Sequence, residues 1–546
     1  MTQELFLDGS GLSIDAACQA VRQHQPIRLT PEACARLRQT RDYIEANWLT
    51  DDAPPIYAFN TGVGGRKNVR IGIEEMEEFQ VNLMKAAAAG TGEPMPTEVV
   101  RMMMLLRINA FATDHSGIRL EIVERLAEML NQGITPVVAA KGSVGASGDL
   151  APLALMSGAL IGAPESKVAF QGRIMAAPEA FRQAGMAETV ELKAKETAAL
   201  INGATASLAY AVLAAHDARA LLSNASISLS LSLEALRAEI ACFTDQVMLA
   251  RPHRGQRRVA RSVRRILRDT RRCTEPARQV APWGSTPAAN RPEGPVSPRI
   301  QEAYSLRCAP QVHGPVLDAL DYVDQILTTE MNSATDNPLI FREGEQYSVT
   351  SVGHFHGQYI AQAMDLLALA LTDLSAISDR RSARLVDPAC SYGLPGGLAA
   401  LRPGVNPGLS GVQSTGTGLV LENMGLCSPA SVISLPAKAN TEDHISNSCF
   451  AARRTRTIVE NAQAVLAAEM LLAAEALDIA EPALEAFSVG IGTKAAWEAL
   501  REGVPAALGG GRWAYADLDR VRALVAGGDI VSRVETACGS LWAEQP

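Results

Sequence analysis

From Leu200 onward the sequence is an almost unbroken series of long, Ala- and Leu-rich segments. Thr205–Asn224, Ser230–Phe243, Val316–Glu330, His356–Ser378 and Arg453–Asp478 each far exceed the roughly five or six residues of an average strand. Few prolines or glycines interrupt them. Apolar residues occupy most of their sides, so each helix has to be buried against others. This pattern dictates a mainly α fold, a long helical bundle. Only 5% of the chain is aromatic, and small aliphatic residues suit close helix packing better than sheets. At 546 residues the chain can build a large core or several helical layers.

The chain before Leu200 reads as mixed. Short strands are expected at Ile27–Leu29 and Ile56–Phe59. Glu74–Ala89, ended by Gly90, reads as a helix, as do Glu98–Ala112 and Arg119–Gln132. Gly142–Gly148 is too rich in glycine for regular structure and has to be a loop. No linker and no internal repeat is visible. Three regions are therefore expected within one enzyme unit: a mixed region over 1–203, a helical bundle over 204–480, and short helices over 481–546 with a turn at Gly509-Gly510-Gly511.

Charge and cysteine usage narrow the function. The formal net charge of −9 argues against nucleic acid as the main partner, because phosphate neutralisation needs a basic surface. Nine scattered cysteines, with no C-x-x-C, suit reduced thiols in the cytoplasm. The N-terminus lacks the basic and apolar regions of a signal peptide. No uncharged apolar run reaches the roughly 18 residues of a membrane span. One segment stands apart: Arg251–Arg272 holds ten arginines against the single acid Asp269. Arg257, Arg261, Arg264, Arg265, Arg268, Arg271 and Arg272 recur at helical spacing. They form either a nucleic-acid or phosphate patch or, in keeping with the acidic chain, a solvated face or a face pairing with acids on a neighbouring subunit.

The chemistry concentrates in Gly142–Leu153 (GSVGASGDLAPL). If the Gly148 amide nitrogen attacks the Ala146 carbonyl carbon, a five-membered ring closes. Loss of two waters, one taking the Ser147 hydroxyl, leaves an exocyclic methylene conjugated to the ring carbonyl. The product is a methylideneimidazolone (MIO), a strong electrophile needing no exogenous cofactor. Closure requires close backbone approach, which Gly145 and Gly148 permit. Taken alone, Ala-Ser-Gly is very common and reads as a glycine-rich turn or a helix cap at Ser147.

With its flanking residues, this loop resembles the signature of the histidine/phenylalanine/tyrosine ammonia-lyase family. The resemblance extends through Tyr57–Gly64 (YAFNTGVG), Phe79–Leu83 (FQVNL), Leu200–Gly203 (LING), Gln301–Gln311 (QEAYSLRCAPQ), Asn332–Pro338 (NSATDNP), Gly353–Gly357 (GHFHG) and Glu442–Ser446 (EDHIS). Seven blocks in family order cover most of the chain. The resemblance implies a mostly helical homotetramer with active sites shared between subunits, acting on a small amino acid with MIO and no exogenous cofactor; the charge and hydropathy above argue against nucleic-acid and membrane partners. It implies Tyr57 as the base for the substrate β-proton. An ordinary phenol holds its proton at neutral pH, so the site has to stabilise phenolate. It implies Arg307 as the grip on the substrate carboxylate, which guanidinium binds through two parallel hydrogen bonds. Tyr304 and Asn202 match positions around the ring, where hydrogen bonds steady negative charge. Gln311 and Asn337 match supporting polar positions that serve equally as structural hydrogen-bond partners. Phe355 matches a position near the substrate ring. His354 stands where asparagine is usual, and His354 and His356 lack the third ligand that a metal site would want.

Substrate identity divides the motif residues. Glu442 matches the glutamate of histidine ammonia-lyases, whereas phenylalanine and tyrosine lyases tend to carry glutamine there. Ala86-Ala87 departs from every branch, since histidine lyases carry Ser-His and the aromatic lyases His-Leu or Phe-Leu. Two alanines imply a roomier, less polar pocket and a substrate other than histidine. The expected activity is elimination of ammonia from an aromatic or heteroaromatic L-α-amino acid, giving an α,β-unsaturated acid. A 2,3-aminomutase would share the chemistry and return the amine to Cβ. An inactive relative serving as a binding protein is the remaining alternative.

Overall fold

The computed structural model describes residues 4–50, 52–283, 300–437, 441–508 and 512–543. The expected turn at Gly509-Gly510-Gly511 lies outside them. The described chain is mainly helical with few, short strands, as the periodicity requires. It divides into two units. One comprises Met1–His216, Val323–Asp365 and Pro429–Arg456; the other comprises Asp217–Tyr322, Leu366–Ser428 and Thr457–Pro546.

The long helices are longer than the sequence pattern suggests. Thr205–Asn224 and the first part of Ser230–Phe243 belong to one helix, Thr205–Ala235. Its serine-rich stretch looks like a break. Yet Ser226 and Ser230 donate to carbonyls one turn back, at 3.3 and 2.8 Å. Hydroxyls satisfied inside the helix leave its ladder intact. The helix stops at Ala235, and Ala241–Phe243 forms only a short 3-10 turn. Ala309–Met331, Gln358–Val386 and Ser448–Leu484 complete the set, with Pro315 and Pro482 accommodated inside two of them. Gln358–Val386 is long and apolar enough to cross a membrane, but 67% of its most apolar window is buried within the protein.

In the first unit, Ile27–Leu29 is a strand as expected. It pairs in parallel with Leu5–Leu7, Leu5 opposite Ile27. Ile56–Phe59 is a turn rather than a strand. Ala58 has φ 64°, and the Asn60 side chain accepts from the Ile56 amide at 2.6 Å while donating to the Pro54 carbonyl at 2.9 Å. This side-chain clamp overrides the strand preference of Ile and Phe. Phe59 is thereby buried with Ile44, Trp48 and Ile340. The three expected helices are Met76–Ala87, Thr97–Ala112 and Leu120–Asn131. The first ends at Ala87, before Gly90. Thr97–Ala112 is buried from Val99 onward, and Arg101 and Arg107 lie in its interior face. Antiparallel pairings join Lys167–Phe170 to Thr135–Pro136 and Arg173–Ala176, Thr91–Pro94 to Ala139–Lys141, and Leu339–Glu343 to Gln346–Thr350.

In the second unit, the fully buried Glu469 accepts from Arg381 Nε and Nη2 at 2.5 and 2.9 Å, and from Ser232 and Ser378 at 2.6 Å each. A carboxylate with four donors meets the requirement for a buried charge. The arginine-rich segment forms the helix Arg254–Ile266. Several of its cations, and that of Arg272 beyond its end, are used within the unit. Arg258 pairs with Asp321 at 3.1 Å and Arg264 with Asp245 at 2.6 Å. Arg265 donates to the Ala543 carbonyl at 2.9 Å, and buried Arg272 pairs with Glu481 at 2.6 Å.

Candidate active site

The loop at 142–149 runs from the strand Ala139–Lys141 to the helix Leu150–Leu160. Gly142, Gly145 and Gly148 have φ of 119°, 67° and 79°, where a side chain would strain the backbone. Segments distant in sequence hold this shape. The Gly145 carbonyl accepts from Ser446 Oγ at 2.8 Å and from the Gly357 amide at 3.4 Å. The Val144 carbonyl accepts from the Asn447 amide at 3.0 Å. Asp149 is fully buried. Its carboxylate accepts from Ser143 Oγ at 2.5 Å and from the Ser207 amide at 2.7 Å, and Ser207 Oγ also meets Ser448 Oγ at 2.8 Å. Burial raises the Asp149 pKa, and these donors partly offset the rise.

The other side of the loop rests on Gly203. The Gly203 amide donates to the Ser147 carbonyl at 3.4 Å, and the Asp149 amide donates to the Gly203 carbonyl at 2.9 Å. A Cβ on Gly148 would collide with the Gly203 backbone. Ala146 is buried, and Ser147 Oγ donates to Glu442 Oε1 at 2.5 Å. A bent backbone, a glycine nitrogen free of side-chain hindrance and a serine hydroxyl held by a carboxylate are what cyclisation and dehydration of this tripeptide require. The residues present therefore fit an MIO group.

The first unit contains most of the expected site residues. Tyr57 lies half-buried in the Ile56–Asn60 turn, its hydroxyl accepting from the Gly64 amide at 3.1 Å. Asn202 Nδ2 donates to the Asn337 carbonyl at 3.0 Å and to Asp336 Oδ1 at 3.3 Å, and Asn337 Oδ1 accepts from the Val352 amide at 2.8 Å. Asn337 thus bonds the backbone around the site. Phe355 is half-buried; beside it, His356 Nε2 meets the His444 carbonyl at 3.1 Å and its ring stacks on His444 at 5.8 Å. His354 is exposed, and no cluster of metal ligands forms among the described residues. Ala86 and Ala87 end the helix Met76–Ala87, which packs on Leu150–Leu160.

Tyr304, Arg307 and Gln311 belong to the second unit. Tyr304 is 72% exposed. The Arg307 guanidinium lies 4.7 Å from the Tyr304 ring centre, and its Nε donates to the Glu302 carbonyl at 2.9 Å. Gln311 lines a cavity of about 410 Å³ with Arg251, His253, Gln256, Asp318 and Tyr322.

Sequence reasoning missed the supports of the site. Lys195, Asp336 and Arg107 are buried behind Asn202 and Gly203, and Ser207, Ser446 and Ser448 brace the loop. Asp336 and Ser446 sit inside the Asn332–Pro338 and Glu442–Ser446 motifs. Nothing in composition or spacing marks Lys195.

The fold and this loop define a class of enzyme, the carbon–nitrogen lyases of the aromatic amino acid lyase family. The chain belongs to that family, matching it over residues 12–502. It is 43% identical over 504 residues to histidine ammonia-lyase 2 of Fusobacterium nucleatum, covering 92% of this chain and 93% of that protein. The crystal structure of histidine ammonia-lyase from Trypanosoma cruzi superposes with a TM-score of 0.86 at 33% identity, over 100% and 99% of the two chains. Tyrosine aminomutase from Streptomyces globisporus gives 0.89 at 31% identity, over 99% and 100%.

Proposed function

We propose that this enzyme is an ammonia-lyase for an aromatic or heteroaromatic L-α-amino acid, with an MIO group that it makes from Ala146, Ser147 and Gly148. The observation that carries this reading is the loop itself, bent at Gly145 and Gly148 and held with the Ser147 hydroxyl on Glu442. MIO supplies an electrophilic carbon that makes the substrate amine a leaving group. In this reading Tyr57 takes the β-proton and Arg307 holds the carboxylate. Asn202 and Tyr304 flank the ring, Phe355, Ala86 and Ala87 shape the side-chain pocket, and Gln311 and Asn337 position their neighbours. Family membership supports a homotetramer whose sites are shared between subunits. The nine cysteines, none joined by a disulfide among the described residues, suit the cytoplasm.

Active enzyme is expected to weigh roughly 36 Da less than its sequence, two waters lost per chain. Intact-mass spectrometry showing the full sequence mass in active protein sinks this reading. A panel of amino acids, followed by chromatography for unsaturated and β-amino acids, reads the reaction. The likeness to a tyrosine aminomutase structure supports a second reading, a 2,3-aminomutase, which the same panel reveals as a β-amino acid product.

Specificity gives a further expected result. Dehydration removes the Ser147 hydroxyl that bonds Glu442 Oε1, and in this reading that carboxylate receives a polar group of the substrate. Alanines at 86 and 87 leave space beside a small ring, and unfilled apolar volume forfeits contacts. A ring larger than imidazole and carrying a polar substituent is therefore preferred over histidine. Ala87→His should raise kcat/KM for histidine relative to the native substrate. Glu442→Gln should weaken discrimination for the polar substituent by roughly 1–3 kcal/mol. Wild-type kcat/KM highest for histidine among all amino acids tested overturns this assignment of the pocket.

A further inference from the structure

Two cations and one carboxylate are buried behind the loop. Lys195 and Asp336 are 0% and 1% exposed at their side chains, with Nζ 2.6 Å from Oδ2. Arg107 is the second cation, also buried. Its guanidinium donates to the Ala199 carbonyl and, at 3.4 Å, to Thr205 Oγ1. It abuts Gly203 so closely that a Cβ there would stand 2.9 Å from Arg107 Nη1. The second Asp336 oxygen accepts from the Asn337 amide at 2.6 Å and from Asn202 Nδ2 at 3.3 Å. With all three groups ionised the cluster carries one net positive charge. Burial, the largest effect, holds the Lys195 pKa below the ordinary lysine range; Asp336 partly offsets this and the Arg107 charge adds to it. Burial brings Arg107 down to about 10, so it stays charged at neutral pH.

This charge lies against Gly203, whose amide donates to the Ser147 carbonyl oxygen. Isolated buried charges are costly, and a single carboxylate would balance a single cation. A second cation makes no further ion pair among the described contacts of the cluster. Its effect is a positive potential at the backbone that holds the loop, where low dielectric lets a fixed charge act strongly.

We propose that Lys195, with Arg107 and Asp336, is a positioning cluster whose net positive charge, relayed through Gly203 to the Ser147 carbonyl oxygen, promotes formation and use of the electrophile. The inference rests on the reading of Ala146-Ser147-Gly148 given above. In ring closure the Gly148 nitrogen bonds to the Ala146 carbonyl carbon and gives up its proton, and the Ala146 oxygen becomes a hydroxyl. That hydroxyl leaves as water with the Ser147 amide proton, and the Ser147 hydroxyl leaves as a second water with the Cα proton. Loss of the Cα proton places negative charge on the adjoining Ser147 carbonyl oxygen. The Gly203 amide and the charge behind it stabilise that oxygen.

Two variants separate charge from packing. Lys195→Met makes the cluster neutral. Lys195→Met combined with Asp336→Asn removes the ion pair but leaves the Arg107 charge, restoring the wild-type net charge. Intact mass gives the cyclised fraction, and circular dichroism and melting temperature report the fold. The single variant should fold, cyclise at least about tenfold more slowly, and show a kcat lowered about 10- to 100-fold with KM within threefold. The double variant should recover at least half of the cyclised fraction. A single variant that cyclises at the wild-type rate with kcat within threefold overturns the proposal. So does a folded double variant that stays as uncyclised as the single one, or failure of both to fold, which makes the cluster structural. Wild-type protein at its full sequence mass would instead sink the electrophile reading itself.

Discussion

Ser147→Ala is expected to keep the fold and lose activity by about 10⁴-fold or more. The substitution deletes the only hydroxyl that can leave to create the methylidene carbon, and the loop presents no second group able to take its place. The structural cost is small. Ser147 is half-buried and makes one side-chain hydrogen bond, to Glu442, whose loss costs about 1 kcal/mol. The bonds that shape the loop come from the backbone of Val144, Gly145 and Asp149, and from the Asp149 carboxylate, and none of these involves the hydroxyl. The variant should therefore show wild-type circular dichroism and a mass matching its own sequence, without loss of two waters. Turnover above about 1% of wild type would mean that the electrophile arises elsewhere.

Tyr57→Phe is expected to lower kcat by about 10²–10⁴-fold while KM stays within a few-fold. The ring is retained, so the Ile56–Asn60 turn keeps its packing, and the turn is fixed by Asn60 rather than by the phenol. The Gly64 amide loses its acceptor at 3.1 Å, a cost of about 1 kcal/mol that water can offset. Steady-state kinetics and intact mass together check the assignment, because the variant should still be fully cyclised. Retention of more than about a tenth of wild-type turnover would assign the β-proton to another base.

The fold class was legible because helical periodicity over tens of residues leaves few alternatives. Details failed where side chains act locally. The sequence reading splits Thr205–Ala235 after Asn224, yet Ser226 and Ser230 are satisfied inside one continuous helix. The apolar run at Ile56–Phe59 looks like a strand, but Asn60 folds it into a turn. At the site, the loop at 142–149 was legible because its glycine-rich sequence and flanking residues resemble the family signature, and Gly145 and Gly148 do lie at positive φ. The cluster behind it was not. Lys195, Asp336 and Arg107 lie 141 residues apart in one pair and touch the site through Asn202 and Gly203, a meeting that no local pattern records.

The brace on Gly145 has a consequence for when the protein becomes reactive. Ser446 reaches the Gly145 carbonyl from 301 residues away in sequence, and Ser448 joins the Asp149 network through Ser207. A chain still being synthesised holds Ala146, Ser147 and Gly148 long before it holds these partners. Until they arrive the tripeptide is ordinary peptide, inert toward the thiols and amines of its surroundings. On the proposed chemistry the electrophile is thus a seal set by completed folding: a copy that misfolds never arms itself, and only a finished molecule carries the hazard.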